Sequence, residues 1–328
     1  MTQQVHCINP CNLCASTEVA VLANHSRGGK PLRTVICCKC GLVWSDPFPH
    51  NPRNFYEDDY RDSYKGTYAP KPKHILRAGK VALSRHQKIA QFLTQPLTIL
   101  DVGSGGGEFC YLLQSLGHDV IGIEPNKGYA GFSISEYNLN IKLGFIQDAS
   151  LEAESFDLIT IWHVFEHTEN PSAVLAKLQA LLKPEGLFVI EVPNIEATCQ
   201  SPQSTFHEAH LFNFNLPTLR KIIEKSGFIV TEQLVSEDGG NISLIAQKQQ
   251  SALATHDLEI PGNCNKITSI VRAHRSINHY LSKYPYVRLA QRICQAFAEK
   301  RALTGFTSGK QLLDQLYSDV IKNLSLAR

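Results

Sequence analysis

The segment that most constrains the fold is a glycine-rich turn between an apolar strand and an apolar helix. The sequence reads LTILDVGSGGGEFCYLLQSLGHDVIGIEP from position 97, and its first strand ends at Asp101. After the glycines, apolar residues recur at helical spacing from Phe109 to Leu116, and a second apolar strand ends at Glu124. This order predicts a β-α-β unit that binds a ligand at the carboxyl ends of its strands.

The two acidic residues that flank the glycines favour a ligand without phosphate groups. The glycines follow a Gly-x-Gly-x-Gly spacing from Gly103 to Gly107, which alone is weak evidence for any one nucleotide. Asp101 would repel a phosphate at this turn, whereas it would attract a cationic or amino-acid-like group. Glu124 is placed to accept hydrogen bonds from both hydroxyls of a ribose. An adenosyl ligand therefore fits better than a dinucleotide.

The rest of the central region continues the alternation of helices and strands. A helix is predicted at 75–95, and Asn170 with Pro171 opens another as N-cap and first-turn residues. A third helix at 217–228 ends at a glycine. The predicted later strands are KLGFIQD (142–148), FDLITIW (156–162), GLFVIEV (186–192), FIVTEQLVS and NISLIAQ, and the last two form an antiparallel hairpin. The predicted fold class is α/β, a Rossmann-like, doubly wound sheet of seven strands whose last strand is antiparallel.

Five ordered blocks of this region resemble the successive motifs of class I S-adenosylmethionine-dependent methyltransferases. The blocks are ILDVGSGGGEF with IGIEPN, SFDLITIWHVFEHTENP, LLKPEGLFVIEVPN and HLFNFNLPTLRKIIEKSGF, and they cover about residues 95–250. The resemblance implies that the glycine turn lines the methionine moiety of S-adenosyl-L-methionine, that Glu124 holds the ribose and that Asp148 faces the adenine amine. The cofactor-binding candidates are Asp101, Gly103, Ser104, Gly105, Gly107, Glu124, Pro125, Asp148, Trp162 and His163.

Two pairs of cysteines predict a zinc site in the first forty residues. CNLC at 11–14 and CCKC at 37–40 flank a segment that reads as strand, Gly-Gly turn and strand. Two such knuckles match a closed, structural zinc ion with four thiolates on a zinc-ribbon hairpin. The alternatives are a redox pair, free thiols, or replacement of one ligand by Cys7, Cys38, His6 or His25. The candidate ligands are Cys11, Cys14, Cys37 and Cys40.

The stretch STFHEAHLFNFN at 204–215 places two histidines around a glutamate. The histidines are three residues apart, one residue short of the helical zinc-protease spacing, so a protease is disfavoured. Three uses remain: the side chains orient a methyl acceptor, one of them is a general base, or they are structural or bind a metal. The catalytic candidates are His210 first, then His207 and Glu208. The polar residues of WHVFEHT, after the fourth strand, are expected to cap and brace the loop.

A zinc module followed by a methyltransferase core resembles the sugar C-methyltransferases of deoxysugar pathways. Those enzymes carry a Tyr-His-Glu-His run whose tyrosine and last histidine are implicated in proton transfer at a keto-sugar. Here FHEAH has Phe206 at the tyrosine position and an extra Ala209, and the tail is shorter than the third domain of those enzymes. The predicted acceptor is therefore a small molecule such as a sugar, nucleotide-sugar or glycan, methylated at oxygen or carbon.

Composition and length set the remaining expectations. A hydrophobic share of 43%, a charged share of 19% and a net charge of +2 give no reason to expect nucleic acid or a membrane as a partner. The start of the chain has no signal-peptide pattern, so a cytoplasmic protein is predicted. The predicted regions are a ribbon at 1–50, a connector at 51–74, the methyltransferase core at 75–250 and a tail at 251–328.

The tail reads as three amphipathic helices. We expect them to pack on the core, to mediate a homodimer, to cover the substrate or to present a basic surface to an anionic acceptor such as a nucleotide-sugar. Two other functions stay open from the sequence. One is an S-adenosylmethionine-binding scaffold or sensor without catalysis, and the other is a protein or nucleic-acid methyltransferase that docks through its ribbon.

Overall fold

The computed structural model describes residues 4–49, 70–249 and 257–327. The strands in these ranges are β1 (Gln4–His6), β2 (Glu18–His25), β3 (Pro31–Cys37), β4 (Val43–Ser45), β5 (Thr98–Val102), β6 (Asp119–Glu124), β7 (Asn140–Leu143), β8 (Phe156–Trp162), β9 (Leu182–Pro193), β10 (Phe212–Asn213), β11 (Phe228–Val235) and β12 (Asn241–Lys248). The α-helices are α1 (Pro72–Ile89), α2 (Glu108–Ser115), α3 (Lys127–Tyr137), α4 (Pro171–Leu181), α5 (Leu216–Lys225), α6 (Asn263–Ala273), α7 (Ser276–Leu281), α8 (Tyr284–Ala302) and α9 (Gly309–Ala327).

The strands form two sheets. The larger one has the order β11-β12-β9-β8-β5-β6-β7, and the smaller one has the order β1-β2-β3-β4-β10. In the larger sheet β5, β6 and β7 pair in parallel, whereas β12 runs antiparallel to both β9 and β11. The predicted Rossmann-like, seven-stranded sheet with its late antiparallel hairpin is confirmed.

By its internal contacts the chain divides into two compact units. The first unit comprises Met1–Pro52 and Ile161–Leu289, and the second comprises Arg53–Thr160 and Ala290–Arg328. In the first unit, β2 and β3 form the predicted ribbon hairpin, and β4 extends it. The sequence pattern did not reveal the next member of this sheet: β10, from the segment after the histidines, pairs antiparallel with β4, so that Phe212 lies opposite Trp44.

In the second unit, α1 and α2 pack together, and the tail helix α9 packs against both of them. Gly79 of α1 allows this approach, because a β-carbon there would lie 2.7 Å from the side chains of Leu313 and Leu316. Tyr317 is fully buried, and its hydroxyl donates a hydrogen bond to the carbonyl of Glu108 at 2.9 Å. The last part of the tail is therefore an integral part of this unit's core.

Several predicted boundaries were wrong. The third strand ends at Leu143 because Gly144 follows with a φ of +130°, so residues 144–148 are not extended. The fifth strand is longer than predicted and spans Leu182–Pro193. Helix α1 begins at Pro72, inside the predicted connector, and the connector's tyrosines (Tyr56, Tyr60, Tyr64 and Tyr68) lie outside the described residues.

The tail contains four α-helices instead of three in the range 257–327. The first predicted helix is split into α6 and α7, because the backbone is extended at Arg275, with φ −106° and ψ 153°. No helix among the described residues is long and apolar enough to cross a membrane.

Candidate active site

The glycine turn lies between β5 and α2 in the second unit, as the sequence predicts. The backbone N–H groups of Gly103 and Ser104 both donate to the carbonyl of Ile123 on β6, at 2.8 and 2.9 Å. Gly107 has a φ of +83°, and a β-carbon there would lie 2.6 Å from Ser133. Glycine is therefore required at this position both for the backbone conformation and for the close approach of α3.

Asp101, at the end of β5, is almost fully buried, with 1% of its surface exposed. One carboxylate oxygen accepts a hydrogen bond from the Thr160 hydroxyl at 2.6 Å, and the other accepts one from the Cys110 thiol at 3.5 Å. Burial raises the pKa of Asp101, while Arg85 opposes this shift. The carboxylate is thus fixed by side chains of β8 and α2 beneath the turn.

Glu124, at the end of β6, joins the two loops of the predicted ribose site. One of its carboxylate oxygens accepts from the N–H of Gly105 at 2.8 Å, and the other accepts from the N–H of Asn126 at 3.0 Å. Because a carboxylate oxygen has more than one lone pair, these bonds leave acceptor capacity for a ligand. Ribose binding by Glu124 stays a prediction, and the structure adds that the same carboxylate fixes the glycine turn.

A cavity of about 550 Å³ lies beside the glycine turn in the second unit. Its wall is mainly basic, and the Ser104 hydroxyl, which is buried, has no hydrogen-bond partner among the described residues. The combination suits a zwitterionic amino-acid group, whose carboxylate would meet the basic wall. The lining residues that carry polar groups are Lys73, His74, Arg77, Arg85, Ser104 and Glu108.

The other cofactor-binding candidates occupy different settings. Pro125 follows Glu124 and is half-buried, whereas Asp148 lies in a turn after β7 and is exposed. Trp162 is the buried last residue of β8 in the first unit. His163 follows it with a φ of +55°, and its N–H donates to the carbonyl of Glu191 at 2.8 Å. The roles of these four residues toward a cofactor stay predictions.

The first unit brings together histidines from two separate segments. His207 and His210 lie in a turn closed by a 3.0 Å bond from the His210 N–H to the His207 carbonyl, and their ring centres are 5.2 Å apart. The ring of His210 also lies 4.8 Å from that of His167, which follows β8. The stacked rings of Phe165 and Phe214, both fully buried, hold the two segments side by side.

Glu166 lies at the centre of this group, which we call the histidine cluster (His163, Glu166, His167, Glu191, His207 and His210). Its first carboxylate oxygen is 3.7 Å from the Nδ1 atom of His163 and 3.7 Å from the Nε2 atom of His167. Its second oxygen has no hydrogen-bond partner among the described residues, although the side chain is only 2% exposed. Glu166 thus links His163 and His167 of the loop after β8 through one oxygen, and its predicted bracing role stays a prediction.

Burial and neighbouring charges shift the pKa values of the cluster in opposite directions. Burial works against a charge on His163, but Glu166 and Glu191 outweigh it and raise its pKa to about 9. Burial would raise the pKa of Glu166, but His167 and His163 lower it to about 2. Burial, together with His167, lowers the pKa of His210 to about 3. Neighbouring groups in the cluster therefore favour different protonation states.

Glu191 is a member of the cluster that the sequence motifs did not reveal as a site residue. It is 6% exposed, and its carboxylate lies 3.2 Å from the Nε2 atom of His163 and accepts a 2.6 Å hydrogen bond from Ser243. A glutamate within the otherwise apolar strand GLFVIEV was the available signal, because a buried carboxylate requires a partner.

Glu208 makes contacts of a different kind from the two histidines beside it. Its carboxylate accepts a hydrogen bond from the Ser26 hydroxyl at 2.9 Å and lies 3.4 Å from the Lys30 ammonium group. Both partners belong to the turn between β2 and β3. Glu208 thus fastens the histidine turn to the ribbon, and a direct catalytic role for it stays a prediction.

The four predicted cysteine ligands come together in the first unit. The Sγ atoms of Cys11 and Cys40 are 3.4 Å apart, those of Cys14 and Cys37 are 3.5 Å apart, and the four lie within 4.8 Å of one another. A disulfide would need about 2.05 Å, whereas zinc–sulfur bonds of about 2.3 Å put tetrahedral sulfurs roughly 3.8 Å apart. The spacing therefore fits four thiolates around one ion.

Other contacts support the cysteine cluster. The N–H of Leu42 points to the Sγ atom of Cys40 at 3.5 Å, as in a zinc knuckle. Cys38, which follows a predicted ligand in the sequence, lies outside the group of four and packs instead near Cys264. The ten cysteines of the chain all lie in the described ranges, and none of them forms a disulfide there.

Residues 74–233 match the family model described as a methyltransferase domain. Together with the fold and the glycine turn, this match defines the region as a class I S-adenosylmethionine-dependent methyltransferase domain. The C-methyltransferase NovU of Streptomyces niveus is 28% identical over 236 residues, which cover 70% of this chain and 53% of that protein. This alignment is longer than the domain and supports the predicted similarity of architecture to C-methyltransferases.

Other relatives are named as O-methyltransferases, which methylate oxygen instead of carbon. The ubiquinone biosynthesis O-methyltransferase of Rhodopseudomonas palustris strain TIE-1 is 32% identical over 129 residues, which cover 38% of this chain and 51% of that protein. The chain thus spans about half the length of the curated relatives it matches. A solved magnesium protoporphyrin IX methyltransferase from Synechocystis covers 60% of this chain and 98% of its own at 14% identity, with a TM-score of 0.47.

Proposed function

We propose that this protein transfers the methyl group of S-adenosylmethionine to a small-molecule acceptor, and that the acceptor is a sugar, a nucleotide-sugar or another glycan. The observation that carries the proposal is the set of contacts at the glycine turn, where Glu124 binds the N–H of Gly105 while Asp101 is fixed underneath. These residues are held by the chain's own hydrogen bonds, so the binding geometry is formed before a ligand arrives.

The residues around the glycine turn fit this cofactor. The basic side chains of Lys73 and Arg85 would hold the methionine carboxylate, and the buried Ser104 hydroxyl would donate to it. Glu124 would accept hydrogen bonds from the ribose. When bound, S-adenosylmethionine supplies an electrophilic methyl group on a positively charged sulfur.

The acceptor must be oriented, and it must lose a proton when an oxygen or an activated carbon is methylated. The imidazoles of His210 and His207, in the turn after β9, are our candidates for these tasks. They follow the carboxyl end of a strand, which is where open α/β sheets bind ligands. The names of the relatives include both C- and O-methyltransferases, so we propose the small-molecule acceptor class without choosing the acceptor atom.

We further propose that Cys11, Cys14, Cys37 and Cys40 hold a structural zinc ion. Four thiolates complete a tetrahedral shell and leave no open position for a substrate. We also propose a cytoplasmic location, because ten cysteines without a disulfide in the described ranges suit a reducing compartment.

The test is transfer of labelled methyl from S-adenosylmethionine into fractionated small molecules and glycans, with cofactor affinity measured separately by calorimetry. Wild type should label one fraction. Glu124→Gln should lose both affinity and transfer, whereas His210→Ala should keep the affinity and lose transfer. Normal cofactor binding without transfer into any fraction, protein or nucleic acid would overturn the proposal in favour of a sensor or scaffold. Label in protein or nucleic acid alone would favour docking through the ribbon.

A further inference from the structure

The buried carboxylate of Glu166 has one oxygen for which the described residues supply no hydrogen-bond donor. Leaving such an oxygen unpaired in a buried site is unfavourable, and buried charges are normally paired or coordinate a metal. Only 2% of the side chain is exposed, so bulk water does not satisfy it. This observation indicates that a cationic or donor group beyond the described residues completes the site.

The orientation of His167 is fixed on the opposite side of its ring. Its Nδ1 atom lies 2.8 Å from the carbonyl oxygen of Ala209, and because a carbonyl only accepts, Nδ1 must carry a proton. In the neutral ring the lone pair is then on Nε2, the atom that faces the Glu166 carboxylate at 3.7 Å. A histidine that donates its other N–H to a carbonyl is the usual arrangement around a metal-binding imidazole.

His210 supplies a third donor from the neighbouring turn. One ligand atom each from Glu166, His167 and His210 lies within 4.8 Å of the other two. Metal bonds of about 2.0–2.2 Å place neighbouring ligand atoms roughly 3–3.5 Å apart, so small side-chain rotations would close the shell. His207 differs, because its Nδ1 atom already accepts the N–H of Ala209 at 3.0 Å.

We propose that Glu166, His167 and His210 bind a divalent transition-metal ion such as Mn²⁺, Fe²⁺ or Zn²⁺. Two imidazoles and one carboxylate are ligands that these ions accept, and three protein ligands leave coordination positions open. The site differs in kind from the cysteine cluster, whose four sulfurs form a closed shell. If the proposed function holds, an open position would bind an oxygen of the acceptor and ease its deprotonation.

Mn²⁺ provides a selective probe, because this hard ion has little affinity for a site of four thiolates. Purified full-length protein with its zinc content determined would be titrated with Mn²⁺ and followed by electron paramagnetic resonance. One Mn²⁺ per chain is expected to bind. Glu166→Gln and His210→Gln should each weaken binding by roughly tenfold or more, whereas His207→Gln should leave it within about twofold. Thermal unfolding of each variant would show that the fold is retained.

Absence of Mn²⁺ binding would overturn the inference, and so would Mn²⁺ binding that neither Glu166→Gln nor His210→Gln weakens. In either case Glu166 would serve as the ion-pair partner of protonated His163. The readout does not depend on methyl transfer. Metal binding without methyl transfer into any acceptor would support the metal site and contradict the proposed function. Methyl transfer without metal binding would support the proposed function and contradict the metal site.

Discussion

The cysteine cluster and the histidine cluster lie in the same unit but are assembled in different ways. The cysteines come from two knuckles at the ends of one hairpin, and their four Sγ atoms lie within 4.8 Å of one another. The histidine cluster draws on the segments after β8 and before β10 and on β9, and it retains a buried carboxylate oxygen without a partner among the described residues. The first arrangement suits a closed structural site, and the second suits a site that is completed by a ligand.

Backbone hydrogen bonds also link the ribbon, which carries the cysteine cluster, to the turn that carries His207 and His210. The N–H of Arg27 donates to the carbonyl of Phe206 at 2.7 Å, and the N–H of Ser45 donates to that of Leu211 at 2.9 Å. The ribbon therefore holds both ends of the histidine turn. Loss of the ribbon should disorder the histidines, whereas loss of a histidine should leave the ribbon intact.

The largest expected effect follows from Cys40→Ser. Structural zinc sites in small modules contribute on the order of 10 kcal/mol to folding, so loss of a ligand should unfold the smaller sheet. If the cluster holds the proposed zinc ion, we expect the zinc content to fall from one ion per chain. We expect methyl transfer to be lost as well, because the ribbon holds the histidine turn. Cofactor affinity should be retained, because the residues that we propose to hold the methionine and ribose groups, such as Ser104 and Glu124, lie in the second unit. The matched control is Cys294→Ser at an exposed position, which should change none of these quantities.

The second effect concerns chemistry instead of folding. His210→Ala should reduce the rate of methyl transfer by roughly 100-fold or more, while zinc content and the midpoint of thermal unfolding stay near those of wild type. Steady-state kinetics with the identified acceptor would measure the change. Glu208→Gln should have a much smaller effect on the rate, because Glu208 binds the ribbon turn. Equal losses in both variants would show that the two side chains act as one unit.

The third effect concerns stability at the contact between the ribbon and α6. Gly41→Ala should destabilise the protein by about 1–3 kcal/mol, because Gly41 has a φ of +78° and a β-carbon there would lie 2.5 Å from Asn263. Urea denaturation followed by fluorescence would measure the loss. Gly28→Ala, in the hairpin turn, is the control, because a β-carbon there would have no neighbouring atom within 4 Å. It is expected to change the stability by less than about 0.5 kcal/mol.

The smallest effect tests the link between the clusters. Ser26→Ala removes the hydrogen bond to Glu208 and should cost about 1 kcal/mol of stability. A double-mutant cycle with Glu208→Ala, which removes both acceptor oxygens, would isolate this interaction. Additive losses in the cycle would mean that the contact does not couple the two segments, and the histidine turn would then depend on the backbone bonds alone.

Elements whose determinants are contiguous in the sequence were predicted well. The N-cap residue Asn170 accepts the N–H of Ala173 at 3.1 Å, the β-α-β unit has the expected order, and the four cysteines form the expected group. In each case the signal is a local spacing with a direct physical meaning. The helix at 217–228 was also found, although it begins one residue earlier, at Leu216, and ends at Lys225.

Elements that depend on distant contacts were predicted less well. β10 contains only two residues, and nothing in Phe212 and Asn213 themselves indicates that they pair with the ribbon. Helical spacing was the wrong criterion for the histidines, because they lie in a turn that brings their ring centres to within 5.2 Å. Glu166 and His210 lie close together where the buried Phe165 and Phe214 rings stack, and those two rings belong to segments far apart in the chain.

The pairing of β10 with β4 has a consequence for protein engineering. A chimera that grafts only the N-terminal ribbon onto another methyltransferase would leave the edge of β4 without its partner strand. The smallest transferable part is discontinuous, since it must combine the ribbon with the short stretch from Phe206 to Phe214. When this protein is recombined with its relatives, chimeras that take both segments from the same parent should therefore fold. Chimeras that take the two segments from different parents should not.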